Sequence, residues 1–295
     1  MILLVGSTGA LGQRVAELLR QRGEPLRALV RPSTDASGLE ALGAEIARGD
    51  LLDRASVRAA CEGAQTVIST ATAMSTLLEG AGGPSIREVD EVGAAGLVDA
   101  AEAAGVERFV YVSYAGVEAG IGFPLERAKA ATEARLRRSR MLTAVIRPDA
   151  FQEIHLTAVG QFDLGRKRVG VLGRGESPCR FVSREDVAAL VTAVALEPQP
   201  PALTEFGGPE ALSSQEAIRV AERVTGEAFK RRRLPRPVVR LAMRLLARPK
   251  PAVASVLGTG LVMDLHPAHW DDAPLRERGI EPRSASDFIR QQAAG

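Results

Sequence analysis

The sequence predicts an α/β fold: a doubly wound parallel sheet with a smaller, partly helical C-terminal cap. Short apolar runs alternate with amphipathic stretches through the first half, and the joins between them are brief. After Pro148 that alternation loosens, which separates an expected first domain at 1–150 from a cap at 151–295 interleaved with the last sheet elements.

"ILLV" at the start is a short buried strand. Leu11, Val15, Leu18 and Leu19 then recur on one helical face that stops at Gly23. "PLRALVR", "AEIARGD" and "AQTVIST" read as the second to fourth strands, with helical pieces between them. Ile86, Val89, Gly93, Leu97, Ala100 and Ala104 mark one long helix ended by Gly105. "RFVYVSY" is a fifth strand, a helix covers roughly 125–138, and "LTAVIRP" is a sixth strand. In the second half "RVGVL" is a strand. Ser183 with Asp186, and Ser213 with Glu216, stand in capping-box spacing at two helix starts. The chain is helical and basic from Pro237 to about Met263, and closes with a short helix near Ser286.

With 295 residues, 45% hydrophobic and 25% charged, the chain is long enough for a large core and has ordinary globular composition. A net charge of +2 does not point to nucleic acid. The first apolar run ends in glycine after a few residues, and no uncharged stretch is long enough to span a bilayer, so a cytoplasmic protein without membrane insertion is expected. Cys61 and Cys179 lie far apart and read as reduced, incidental thiols. His266 and His269 in "HPAHW" lack a supporting acid or cysteine cluster, so no metal site is expected.

The loop between the first strand and helix carries G-x-x-G-x-x-G: Gly6, Thr8, Gly9, Ala10, Leu11 and Gly12 lie on it. Glycine serves where backbone turns tightly, approaches a ligand, or lets helix touch strand. The helix N-terminus offers unpaired N–H groups to an anion, so a dinucleotide pyrophosphate fits this junction, as opposed to a bare glycine turn. The second strand ends in Arg31, followed by Pro32, Ser33 and Thr34, with no acid in the slot itself. A guanidinium there suits the 2′-phosphate of NADP(H), against the alternative of a solvated loop arginine.

"VGSTGALG", "LVRP", "GDL" at 49–51, "VDEVGAAGLVDAAEAAGVERFVYVS", "LTAVIRP" and "FVSREDVA" together resemble the NmrA-like atypical short-chain dehydrogenases/reductases, a Rossmann-fold group with isoflavone-reductase-type and quinone-oxidoreductase-type relatives. The resemblance implies an NADPH-dependent oxidoreductase passing hydride to a small carbonyl, quinone or enone. The competing reading is an NADP(H)-binding redox sensor without turnover. The resemblance also implies that Asp50 and Leu51 sit beside the adenine, and Thr70, Ala71 and Thr72 along the ribose and nicotinamide. Pro148 and Phe151 would meet the nicotinamide and substrate pocket. Asp50 read locally is a helix cap beside Asp53, and Phe151 a core aromatic.

Short-chain reductases use Tyr-x-x-x-Lys, but here the window is "LERAK": Lys129 is present and Leu125 occupies the tyrosine position. Lys129, with a pKa lowered by desolvation, is one candidate for proton transfer; its other reading is a clamp on ribose hydroxyls. Tyr114, one residue past Ser113, is a second candidate or a pocket wall. His155, titrating near neutral pH, is a third or a packing residue. Substrate specificity is expected from loops near 72–85, 115–124, 150–180 and 230–265. A small-molecule substrate is expected as partner, and either a monomer or a homodimer is compatible with the sequence. "KRRRLPRPVVRLAMRLLARPKP" alternates arginine with apolar residues: a helix face over a substrate pocket, or a membrane- or partner-facing surface.

Overall fold

The computed structural model describes residues 1–78 and 82–294; residues 79–81 of the expected specificity loop at 72–85 lie outside the described residues. The chain opens with β1 (Ile2–Val5), α1 (Ala10–Gln21), β2 (Leu26–Val30), α2 (Ser37–Ala41), β3 (Glu45–Arg48), α3 (Arg54–Cys61), β4 (Thr66–Ser69) and α4 (Met74–Leu78). A π-helical segment, Arg87–Gly93, runs into α5 (Ala94–Ala103). Next come β5 (Arg108–Val112), α6 (Pro124–Leu136), β6 (Leu142–Pro148), α7 (Gln152–His155), β7 (Phe162–Asp163), β8 (Arg168–Leu172), α8 (Arg184–Leu196) and β9 (Leu203–Phe206). The C-terminal part holds α9 (Ser214–Thr225), β10 (Lys230–Leu234), α10 (Arg236–Leu246), α11 (Pro251–Leu265), α12 (Ala273–Arg276) and α13 (Ala285–Ala294).

Seven strands form the main sheet in the order β3-β2-β1-β4-β5-β6-β9, and the pairings from β3 through β6 are parallel. The order reverses between β1 and β4, so the ends of those two strands flank the switch point where open α/β sheets bind ligands. The doubly wound sheet expected from the alternating pattern is present.

The chain divides into two compact units. The first comprises Met1–Ser113, Arg127–Arg147 and Val187–Thr204; the second comprises Tyr114–Glu126, Pro148–Asp186 and Glu205–Gly295. The first is built on a core of Leu3, Val5, Val67, Phe109 and Tyr111 from the sheet with Val57, Cys61, Leu97 and Val98 from α3 and α5. Each such large aliphatic side chain contributes about 1.5–3 kcal/mol when buried. Phe109 and Tyr111 fill the same cluster because residues two apart on a strand share a face.

The second unit has a three-stranded sheet in the order β10-β8-β7. One of its cores joins Val169 and Val171 to Ile218 and Ala221 of α9 and Ile289 of α13. Another joins Phe123 to Val239 and Met243 of α10 and Leu261 and Val262 of α11. The capping box at α9 is complete, with Ser213 and Glu216 each bonding back to the other's backbone N–H. At α8 the Ser183 hydroxyl accepts from Asp186 N–H at 2.9 Å, and the Asp186 carboxylate accepts from Arg283 N–H at 2.8 Å.

Three elements differ from the sequence reading. The helix expected over 86–104 begins as a π-helix, a rare form concentrated at functional sites. "KRRRL" pairs parallel with β8 as an edge strand, where long cations discourage pairing with another chain. The basic helix after Pro237 is two helices, because Pro249 and Pro251 disfavour helical backbone in the residues before them.

Candidate functional site

The glycine loop leaves β1 at Gly6, whose φ of +88° excludes most side chains. A Cβ there would lie 2.7 Å from both Ala71 N and Thr70 Oγ1, so β1 and β4 approach each other closely at the switch point. A Cβ on Gly12 would collide with the Gly6 carbonyl, which makes the third glycine a condition of seating α1 on the loop. Gly9 differs: it is exposed, and a Cβ would meet only Gly6 O at 3.4 Å. The middle glycine therefore faces open space above the first turn of α1. No side chain caps that turn and no acid lies on it, and its first backbone bond is Gln13 N–H to Gly9 O at 2.8 Å. The N–H groups of Ala10, Leu11 and Gly12 precede that bond and point from a helix N-terminus, the arrangement that receives an anion. Thr8 is half-buried on the same loop. A dinucleotide pyrophosphate fits this cradle.

Ser7 ties the loop to β2 by donating to Leu29 O at 3.2 Å. Arg31, just past β2, is exposed and makes no ion pair with any described residue. Arg48 ends β3 opposite Val30 and donates to Thr34 O at 2.7 Å, so a second guanidinium stands against the 31–34 loop. Arg48 escaped the sequence reading, although the parallel pairing of neighbouring strands was the available signal. Asp35, the nearest acid in that loop, accepts from Ser37 N–H and Oγ at 2.9 Å; those bonds hold its carboxyl below the usual range. Asp50 is not the cap of α3: Asp53 is, accepting Ala55 N–H at 3.0 Å. Asp50 Oδ1 accepts Leu52 N–H at 2.8 Å in a local turn. Leu51 packs beneath Gly93, where a Cβ would lie 2.9 Å from its Cγ.

Beyond β4, Thr70 Oγ1 donates to Val5 and Gly6 carbonyls, and Thr72 Oγ1 accepts Met74 N–H at 3.2 Å. The next residue, Ala73, donates its N–H to Asp90 Oδ2 at 2.9 Å. Asp90 stands on the π-helical segment and is 1% exposed. Its Oδ1 lies 3.4 Å from Lys129 Nζ, and Lys129 is itself only 6% exposed. Lys129 also donates to Val112 O at 3.1 Å and stands over the Tyr111 ring, 4.8 Å from its centroid. Thr132, one turn on, donates to Asp90 O at 3.1 Å. The first unit thus joins Gly6, Thr70–Thr72 and Lys129 through Asp90, a residue the sequence reading passed over. Its signal was there: Asp90 is four after Ile86 and three before Gly93, an acid on the apolar stripe of that helix.

The electrostatics reverse one expectation. Burial opposes the charge on Lys129, but Tyr111, Asp90 and hydrogen bonds to both outweigh it, and its pKa lies above that of a free lysine. Lys129 is a held ammonium, not a lysine lowered toward neutrality. Tyr111 is fully buried and its phenol is pushed up, chiefly by desolvation. Beside Lys129, at the end of β5, the Ser113 hydroxyl oxygen is buried without a hydrogen-bond partner, so a polar group is left there for a ligand to satisfy.

Tyr114, Pro148, Phe151 and His155 belong to the second unit. Ala115 N–H donates to Pro148 O at 2.9 Å, which brings the residues after β5 and β6 together. The Tyr114 ring packs tilted against Phe123, 6.2 Å between centroids. Phe151 forms an isolated parallel bridge with Val182. Burial pushes the His155 imidazole down to about 4, so it is neutral at neutral pH and does not titrate there as expected. Leu125, in the tyrosine slot, joins the apolar cluster around Phe123. Buried Asp149 accepts from Cys179 Sγ, Arg180 N–H and Trp270 Nε1 at 3.2, 2.8 and 2.9 Å. The Cys179 thiol is driven well up by burial and by that carboxylate.

A family model described as NAD(P)H-binding matches residues 6–198, from the glycine loop to the end of α8. The chain belongs to the NAD(P)H-binding family. Its relatives include photosystem II assembly factor Ycf39 of Trieres chinensis, 27% identical over 83% of this chain and 75% of that one. They also include the NAD(P)H azoreductase of Xenophilus azovorans, 27% identical over 77% of this chain and 74% of that one. Among solved structures, the NADPH-dependent quinone oxidoreductase QOR2 of Escherichia coli, complexed with NADPH, superposes with a TM-score of 0.77 over 99% of both chains at 20% identity. At that identity the likeness is one of fold. Membership of the family agrees with the NmrA-like resemblance carried by the motifs, and with the NAD(P)H-binding role expected of the loop. Among the described residues, no helix is long and apolar enough to cross a membrane.

Proposed function

We propose that the chain is an NADPH-dependent reductase passing hydride to a quinone, an enone or another small carbonyl acceptor. The observation that carries this is the continuous chain from an open, acid-free helix N-terminus at Gly9, through Thr70–Ala73 and Asp90, to the buried ammonium of Lys129. NADPH, when bound, supplies the hydride. The backbone N–H groups of Ala10, Leu11 and Gly12 would hold its pyrophosphate. Arg31, with Arg48 beside it, would recognise the 2′-phosphate, and the free Asp50 oxygen the adenine amino group. Thr70, Ala71, Thr72 and the ammonium of Lys129 would hold the ribose side. Pro148 and Phe151 keep their proposed place at the nicotinamide and the acceptor, and Tyr114 its proposed role as proton donor or pocket wall.

Acceptor class follows from the acids available. Leu125 donates no proton, and Lys129 and Tyr111 both titrate above their ordinary values, which makes them weak acids at neutral pH. His155 is neutral there. A quinone or enone delocalises the charge left by hydride and takes its proton from water, so it needs no matched acid. The azoreductase and quinone-oxidoreductase names among the relatives and neighbours support a reductase.

A sensor is the second reading, favoured by Leu125 in the phenol slot and by Lys129 locked to Asp90. Titration calorimetry with NADPH, NADP⁺ and NADH, followed by NADPH oxidation with benzoquinone and a simple enone, separates the two. The reductase binds both phosphorylated forms, NADH much more weakly, and turns over quinone. Lys129→Met and Tyr114→Phe then test the two candidate side chains. Strong preference for one redox state without turnover would establish the sensor, and no binding of any form would refute both.

A further inference from the structure

The outward surface of α10 carries none of the residues assigned to the proposed reductase. Val239 and Met243 bury one face of this helix against Phe123 and α11. A different face carries Val238, Leu241 and Leu245, which are 52%, 60% and 67% exposed. At about 100° per residue these three fall within about 60° of one another, so they form one apolar stripe turned outward. Arg240, Arg244 and Arg248 line its flank at four-residue spacing, and all three are exposed. Lys250 and Val253 continue the same mixture into the start of α11, both exposed.

The charge of this patch is unbalanced. No Asp or Glu occurs between Glu227 and Asp264, a stretch containing nine Lys and Arg residues. Two of them are paired, Arg231 with Glu222 at 3.0 Å and Arg236 with Asp264 at 2.6 Å. Arg240, Arg244, Arg248 and Lys250 make no ion pair with any described residue. The net charge of +2 for the whole chain therefore conceals a concentrated cationic region.

We infer that α10 is a docking surface for an anionic lipid bilayer. The occupant must be negative, because arginines rim the stripe. A second copy of this chain meeting the same face would set arginine against arginine. It must also accept aliphatic side chains without offering a pocket. The stripe has no Trp, Tyr or Phe, the residues that anchor protein–protein interfaces. Leucine and valine immersed at the acyl boundary, with guanidinium groups reaching lipid phosphates from long stems, suit a membrane surface. The helix lies on the bilayer and does not enter it as a span.

The test uses the full chain sedimented with vesicles of phosphatidylcholine alone, or mixed in equal parts with phosphatidylglycerol, at low and high sodium chloride. Binding is expected to the anionic vesicles only, and to weaken with salt. Each cation near an anionic surface is worth about five-fold in affinity, so Arg240→Gln with Arg244→Gln lowers it about twenty-five-fold. Leu241→Ser with Leu245→Ser lowers it by at least about ten-fold without shifting the melting temperature, since neither side chain is buried. Three results would overturn the inference. One is failure to bind anionic vesicles. Another is binding that the leucine variant leaves intact while polyglutamate binds as tightly, which would mark a surface for an acidic protein. The third is self-association abolished by the leucine variant, which would assign the stripe to a second copy.

Discussion

Asp90→Asn removes the carboxylate facing Lys129 while leaving an oxygen able to accept from Ala73 N–H. In the native protein the ammonium is 3.4 Å from Asp90 Oδ1, and both residues are almost wholly shielded from water. Removing one partner of a buried pair leaves the other charge uncompensated, which costs about 3–5 kcal/mol. With one hydrogen bond retained, a loss of about 3 kcal/mol at pH 7 is expected in urea unfolding. The pH dependence carries the sharper sign. Lys129 is raised above a free lysine in the native protein, so its stabilising contribution is complete at neutral pH. That contribution is lost only as pH rises past about 10.4 toward the folded value. Without Asp90, and with the Tyr111 phenol pushed up and so uncharged below about 10, desolvation dominates and the folded pKa falls below that of the unfolded chain. The unfolded state then binds the extra proton, and stability of the variant climbs between neutral pH and about 10 where the native protein stays level. Asp90→Asn combined with Lys129→Met should recover most of the loss, because replacing both charges removes the desolvation cost as well. A single variant costing less than about 1 kcal/mol with no rise toward alkaline pH would refute the pairing argument.

Gly12→Ala forces a Cβ into backbone, and should cost about 1–3 kcal/mol and abolish dinucleotide binding by calorimetry. Gly9→Ala meets only the Gly6 carbonyl at 3.4 Å, an ordinary contact, so it should change stability by less than about 1 kcal/mol while weakening NADPH at least about ten-fold. Equal effects of the two on stability would contradict the division of labour among the glycines. Arg31→Ala with Arg48→Ala should weaken NADPH about a hundred-fold and leave NADH nearly unchanged, as expected for lost charge-assisted bonds to one phosphate. Neutral, half-buried His155 makes the fold acid-sensitive. Its folded pKa of about 4 lies below the ordinary 6.5, so its contribution is present above 6.5 and is lost as pH falls through 4. His155→Gln should flatten that part of the stability profile by about 2 kcal/mol in acid urea titrations.

Much of the fold was legible because its causes are local. Strand periodicity, the helix face of Leu11, Val15, Leu18 and Leu19, and the Ser213–Glu216 box depend on residues a few positions apart, and each appears where the pattern placed it. The glycine loop was legible for the same reason: positive φ at Gly6 and close contact at Gly12 are steric demands that only glycine meets. Its position at the switch point was decided by the strand order, which seats β1 between β2 and β4. What tertiary structure alone decided concerns charge and distance along the chain. Lys129 meets Asp90 thirty-nine residues earlier and Tyr111 eighteen earlier, and the direction of its pKa is the sum of burial against those two neighbours. "KRRRL" is a strand because β8, some sixty residues before it, offers a free edge. The fate of the arginine–leucine helix was likewise settled by which face Phe123 and α11 covered, leaving the other face to solvent. Periodicity says that a helix has faces; packing chooses which of them is buried.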